Sequence, residues 1–260
     1  MRSNKSNFSP SINIKRDENK AFEYIVTPNA EKIYESIISN LDSAIHSYTI
    51  IGSSGTGKSS FLIALMQSLL GVQKHFKTKT IQEGFKFDLV VGRSKSIVND
   101  LISQFNLDNG DDSSLLEVIK KNEIKYRKKG LKWFLIIDEF GKYLEHAAKH
   151  NPDAELYFIQ QLAEIANEKE SSLYLITTLH QSFDSYAFGL NLQQRKEWDK
   201  VSGRLKEIPF NEPVEQLLLF ASEHLAKNTS VSEEVDFQIL KTVINNSNVY
   251  NLIVIAVDDP

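Results

Sequence analysis

The stretch Tyr48–Phe61, "YTIIGSSGTGKSSF", joins four residues suited to a strand to a Gly/Ser/Thr cluster, a lysine and an apolar helical pattern. Three of the eleven glycines, Gly52, Gly55 and Gly57, stand just ahead of Lys58. With Ser59 they complete the spacing G-x-x-x-x-G-K-[ST]. A loop that wraps a polyphosphate must turn its backbone N–H groups inward, so it needs residues without a bulky Cβ that tolerate positive φ. The helix that follows offers the positive end of its dipole. Gly52, Ser53, Ser54, Gly55, Thr56, Gly57, Lys58, Ser59 and Ser60 are therefore the predicted phosphate-binding residues. Lys58 supplies a point charge for the β- and γ-phosphates, and the Ser59 hydroxyl is suited to a Mg²⁺ shell. A Gly/Ser turn before an ordinary amphipathic helix would give the composition without the strand-loop-helix context.

A hydrolytic site also needs carboxylates. "WFLIIDEFGKYLE" places Asp138 and Glu139 at the end of a nearly unbroken apolar run. Such a run fits a strand buried on both faces of a parallel sheet, and ligands sit at the carboxyl ends of such strands. Asp138 is placed to hold Mg²⁺, and Glu139 to take a proton from the attacking water. The next apolar run, "SSLYLITT", ends in Thr177 and Thr178, followed by His180 and Gln181. A polar residue there can sense the γ-phosphate. Thr178 is the first choice and Thr177 the second.

The rest of the chain alternates between the two periodicities. "TPNAEKIYESIISNL" predicts a helix capped by Thr27, with Pro28 in its first turn and Ile33, Ile37, Ile38 and Leu41 on one face. "SYTII", "FKFDLVVG", "WFLIID", "SSLYLITT" and "LKEIPF" predict strands. "KSSFLIALMQSLL", "SIVNDLISQF", "SLLEVIKKNEIKYRKK" and "DAELYFIQQLAEIANEKE" predict helices between them. "LHQSFDSYAFGLNLQQRKEWDKVSGR" reads as a polar stretch with aromatic and basic residues, and "NLDNGDDSS" as a loop. The alternation from residue 47 to 210 predicts an α/β sheet with right-handed crossovers. Residues 1–20 read as a flexible N-terminal arm, 21–211 as the core, and 212–260 as two helices forming a partial lid.

Taken in order, "GSSGTGKS", "FLIIDE", "LITT" and "VSGRLKEIPFNEPVEQLLLFASEHL" resemble the AAA+ ATPases. The likeness is to the initiator-type and STAND members of the additional-strand class. It implies a P-loop NTPase three-layer sandwich with a mostly parallel sheet and a short C-terminal helical lid. One further strand would lie between the phosphate-loop strand and the Asp-Glu strand. It implies ATP and Mg²⁺ as ligands, ATP hydrolysis, and self-association or a larger protein assembly. It also implies that Arg204, shortly before the last core strand, is an arginine finger acting in a neighbour or across a cleft, with Arg195 in reserve. "DEFGKYLE" and "QRKEWDKVSGRLKEIPF" resemble segments of large ATPases in bacterial anti-phage and mobile-element systems. A full lid has three or more helices and a second sensor arginine, whereas no arginine follows Arg204.

Composition sets the remaining bounds. The 260 residues are 41% hydrophobic and 25% charged, an ordinary globular balance. A net charge of −4 gives no global drive toward nucleic acid, which stays open as a partner through a local patch. The absence of cysteine excludes disulfides and Cys-ligated zinc. No run is long and apolar enough to span a bilayer and none resembles a signal peptide, so the expectation is a cytoplasmic chain without a membrane partner. Lys120–Gly130 is read as a solvated basic helix end, and His146 and His150 as surface histidines, since Ala147 stands where a zinc-binding H-E-x-x-H would place its glutamate. Trp133 and Phe140 are expected in the core, and Tyr24 near an adenine base.

Overall fold

The computed structural model describes residues 12–20, 24–43, 45–77, 84–107, 112–150 and 152–211, all within the unit Met1–Asn211. Five strands make one sheet: β1 (Ser47–Ile51), β2 (Gly84–Val91), β3 (Leu131–Asp138), β4 (Leu173–Leu179) and β5 (Lys206–Pro209). Their order is β2-β3-β4-β1-β5 and every pairing is parallel. β4 thus lies between the phosphate-loop strand β1 and the Asp-Glu strand β3, as the additional-strand class requires.

The strands are apolar throughout because both faces are covered. On β3, Trp133, Leu135 and Ile137 enter one hydrophobic cluster while Phe134 and Ile136 enter the other. β4 divides the same way, with Leu173 and Leu175 on one side and Tyr174 and Ile176 on the other. Helices α1 (Ile14–Asp17), α2 (Pro28–Ser39) and α3 (Lys58–Leu69) contribute to the second cluster. Helices α4 (Ile97–Gln104), α5 (Asp112–Lys128), α6 (Gly141–His150), α7 (Pro152–Ala166) and α8 (Leu192–Ser202) contribute to the first. The result is a three-layer α/β/α sandwich.

Local chemistry sets the helix ends. The Thr27 hydroxyl accepts from Ala30 N, with Pro28 in the first turn of α2. α8 falls in the stretch expected to be merely polar. Its start is fixed by a capping box between Asn191 and Gln194, and its buried side is only Trp198 and Val201. Two apolar contacts in eleven residues are too few to give a helical period in the sequence.

The flexible arm expected over 1–20 needs correction for residues 12–20. Ile14 is 1% exposed, and α1 packs on β2 and α3. Ile14 joins the hydrophobic cluster that includes the phosphate-loop helix, and Ile12 packs against it. The expected lid, 212–260, lies outside the described residues. No helix among the described residues is long and apolar enough to cross a membrane.

Candidate functional site

The expected phosphate residues come together at the carboxyl edge of the sheet. β1 ends at Ile51, and α3 starts at Lys58 with Gly57 as its N-cap. Gly55 and Gly57 have φ of 81° and 91°, the region closed to most L-residues. Gly52 is required for a different reason. A Cβ there would lie 2.5 Å from the Phe210 carbonyl oxygen, because the end of β5 runs alongside. Gly52 is therefore held by packing, whereas Gly55 and Gly57 are set by backbone conformation. The described residues lining the hollow, about 450 Å³, include Ser54, Gly55, Gly57, Lys58, Ser59, Ser60, Asp138, Glu139 and His180.

Lys58 is 6% exposed, and its Nζ donates to the carbonyls of Gly52 and Ser53 at 2.5 and 2.8 Å. Burial lowers its pKa, and the carboxylates of Asp138 and Glu139 oppose that shift. The Ser59 hydroxyl donates to Asp138 Oδ2 at 2.7 Å, so helix α3 and strand β3 meet through these two oxygens. The Thr178 hydroxyl donates to the other oxygen of Asp138 at 2.6 Å. One carboxylate therefore ties three elements together.

Glu139 follows with φ at 55°, an uncommon conformation for a glutamate. Its N–H is held by Thr178 Oγ1 at 2.9 Å and Asp138 Oδ1 at 3.1 Å. Its side chain, 36% exposed, forms an ion pair with Lys142. Gly92 supports the same turn: a Cβ there would lie 2.1 Å from the Glu139 carbonyl oxygen. Nothing in the sequence around Gly92 or Lys142 signals this contact. Thr177 points away, bonded to Thr49 Oγ1 at 2.8 Å on the opposite face of the strand and fully buried. Of the two threonines, Thr178 alone reaches Asp138.

Arg204 is not in this hollow. Its carbonyl accepts from Ser47 Oγ at 2.5 Å, at the start of β1, whereas the phosphate loop follows the strand's other end, roughly 16 Å away. Its guanidinium bonds Glu164 at 2.6 Å and the Lys200 carbonyl at 2.5 Å. Arg195 is exposed on α8. A larger cavity, about 640 Å³, lies at that same opposite edge and includes His46, Lys132 and Tyr174, but no residue of the loop.

The remaining expectations are placed as follows. Tyr24 packs against His75 and Phe76, and is absent from the residues lining the hollow. His146 and His150 stack on one another, and the described residues contain no cluster of three metal-binding side chains. Trp133 and Phe140 are core, and Lys120, Lys121 and Lys125 lie on the exposed side of α5. Ile12, from the supposed arm, lines the phosphate hollow, and the sequence gives no sign of it.

No curated protein matches the sequence. Among solved structures, the chain is similar to the ORC2 protein of Aeropyrum pernix in its ADPNP-ADP complexes, with 14% identity, a TM-score of 0.50, and coverage of 85% of this chain and 54% of that one. For the ADP form of the same protein the TM-score is 0.52 at 14% identity, with 84% and 57% covered. The chain thus spans little more than half the length of that protein. At this identity the likeness shows the fold alone. The family described as Novel STAND NTPase 1 matches residues 30–246, most of the chain, and the chain belongs to that family.

Proposed function

We propose that the chain binds ATP with Mg²⁺ and hydrolyses it, coupling nucleotide state to a protein partner. The observation that carries this reading is the junction at Asp138, where Ser59, Thr178 and the Glu139 backbone converge beside the phosphate loop. A hydroxyl and a single carboxylate are hard oxygen donors. They fit an ion that keeps waters and phosphate oxygens in its shell, rather than one held by an all-protein cage. Ser59 and Asp138 would hold Mg²⁺, whose contribution when bound is to neutralise charge on the β- and γ-phosphates.

The protein's own groups divide the remaining work. The loop N–H groups and Lys58 orient the polyphosphate. Glu139 takes the proton of a water whose oxygen attacks the γ-phosphorus as the bond to the bridging oxygen breaks. Thr178 is the γ-phosphate sensor, since it contacts both Asp138 and Glu139. Arg204, remote from its own loop, acts as a finger on the nucleotide of a neighbouring copy. The partner belongs to a bacterial defence or DNA-maintenance assembly, in keeping with the resemblance of "DEFGKYLE" and "QRKEWDKVSGRLKEIPF".

A non-hydrolysing nucleotide switch is the alternative, favoured by the pairing of the Glu139 carboxylate with Lys142. Phosphate release by the parent and by Glu139→Gln, with and without DNA, separates the two. The variant should retain ATP and lose turnover. A parent that binds ATP but releases no phosphate under any condition leaves the switch.

A further inference from the structure

Residues 12–20 are a short segment with a position of consequence. α1 packs on β2 and α3, so the chain approaches the nucleotide hollow from the Ser59–Asp138 side. There Ile12 lines the hollow with Ser59, Asp138 and Glu139. The segment is anchored just behind that residue. Asn13 Oδ1 caps the turn by accepting from Lys15 N and Arg16 N, and Ile14 is buried in the second cluster. Asp17 pairs with Arg16 and Lys20. Gln67 of α3 donates to the Lys20 carbonyl at 2.9 Å, and Lys15 Nζ donates to Gln104 at 2.6 Å.

This anchor is a single helical turn, with one buried isoleucine and ion pairs whose cationic ends are exposed. Such a segment opens far more readily than the sheet beneath it. An isoleucine offers a phosphate no hydrogen bond. At the rim of a polar hollow, its effect is to exclude water and narrow the way in.

We propose that residues 12–20 form a strap that closes the metal side of the hollow and sets the rate at which nucleotide enters and leaves. The proposal rests on the nucleotide reading above. The chain contains no cysteine, so Lys15→Cys with Gln104→Cys can be bridged uniquely by a short bismaleimide in the full chain. The readout is stopped-flow release of a fluorescent ADP in the presence of Mg²⁺. Ile12→Gly should release it roughly tenfold faster than the parent, equivalent to about 1.4 kcal/mol. The bridged double variant should release it several-fold more slowly than the same protein unbridged. A bridged chain that releases at the unbridged rate overturns the strap, whatever Ile12→Gly does. A folded parent that binds no nucleotide removes the underlying reading and the strap with it. A parent whose binding is weakened by Lys58→Ala, but whose release ignores the bridge, loses the strap alone.

Discussion

At the residue scale, Lys58 and His46 are both buried basic side chains, in different settings. The Lys58 ammonium is held inside the loop by two carbonyls, so it is oriented before any phosphate arrives. Replacing it with alanine removes a charged hydrogen-bonding group, worth about 1.5–3 kcal/mol. ATP affinity measured by calorimetry should fall roughly ten- to a hundredfold, with the thermal midpoint close to that of the parent. His46 is 2% exposed and its ring lies tilted against Tyr174, with Asp42 and Lys132 nearby. Burial pushes its pKa below the ordinary 6.5, and the backbone of Ala166 and Ser43 opposes the shift. Between the lowered folded value and 6.5, the unfolded chain binds a proton that the folded chain refuses. This contribution to stability is therefore complete above about pH 6.5 and is lost as pH falls below it. Urea melts from pH 7.5 to 5 should show a steeper loss for the parent than for His46→Phe. Burial also lowers the pKa of His75, which leaves a residual slope of the same sign.

At the scale of elements, the site depends on how closely neighbouring strand ends approach one another. β2 and β3 run in register to Val91 and Asp138, and Gly92 N then donates to the Asp138 carbonyl at 2.7 Å. A methyl group at Gly92 would meet the Glu139 backbone, so that turn must move. Glu139 already holds a left-handed conformation costing roughly 1–3 kcal/mol, offset by its bonds to Thr178 and Asp138. Gly92→Ala should therefore lower the rate of hydrolysis more than it lowers ATP affinity. Single-turnover kinetics beside equilibrium binding would separate the two effects. Equal losses in both would mean that the substitution disturbs the phosphate loop rather than the glutamate.

At the scale of the whole molecule, the finger role proposed for Arg204 turns on its distance from the phosphate loop. The arginine lies at the amino edge of the sheet, engaged with Glu164 on α7, while the loop lies at the carboxyl edge. On the proposed reading, a finger on that edge would serve another copy. Arg204→Ala should bind ATP like the parent and lose turnover on the order of 10³-fold. Parental activity should rise more than linearly with protein concentration. Mixing Arg204→Ala with Lys58→Ala subunits should recover some of it. Full activity in a strictly monomeric parent would return Arg204 to its structural role beside Glu164.

The sequence alone determined those features in which local chemistry dictates local form. The phosphate loop needs glycines and a lysine at a fixed spacing, and a strand covered on both faces must be apolar. Hence the loop, the five strands, their parallel class, and the candidates Asp138 and Glu139 were all legible. Only the tertiary structure decided which groups meet. Thr177 and Thr178 are equivalent as letters, but alternation along β4 turns one toward Thr49 and the other toward Asp138. Gly52 and Gly92 owe their identity to carbonyls 158 and 47 positions away, at Phe210 and Glu139, as the residue numbers give. α8 and the segment at 12–20 carry too few apolar residues to announce themselves, because each buries only one or two against a core built by others. A contact made across the fold leaves no period in the chain, and so it appears only once the sheet has brought its partners together.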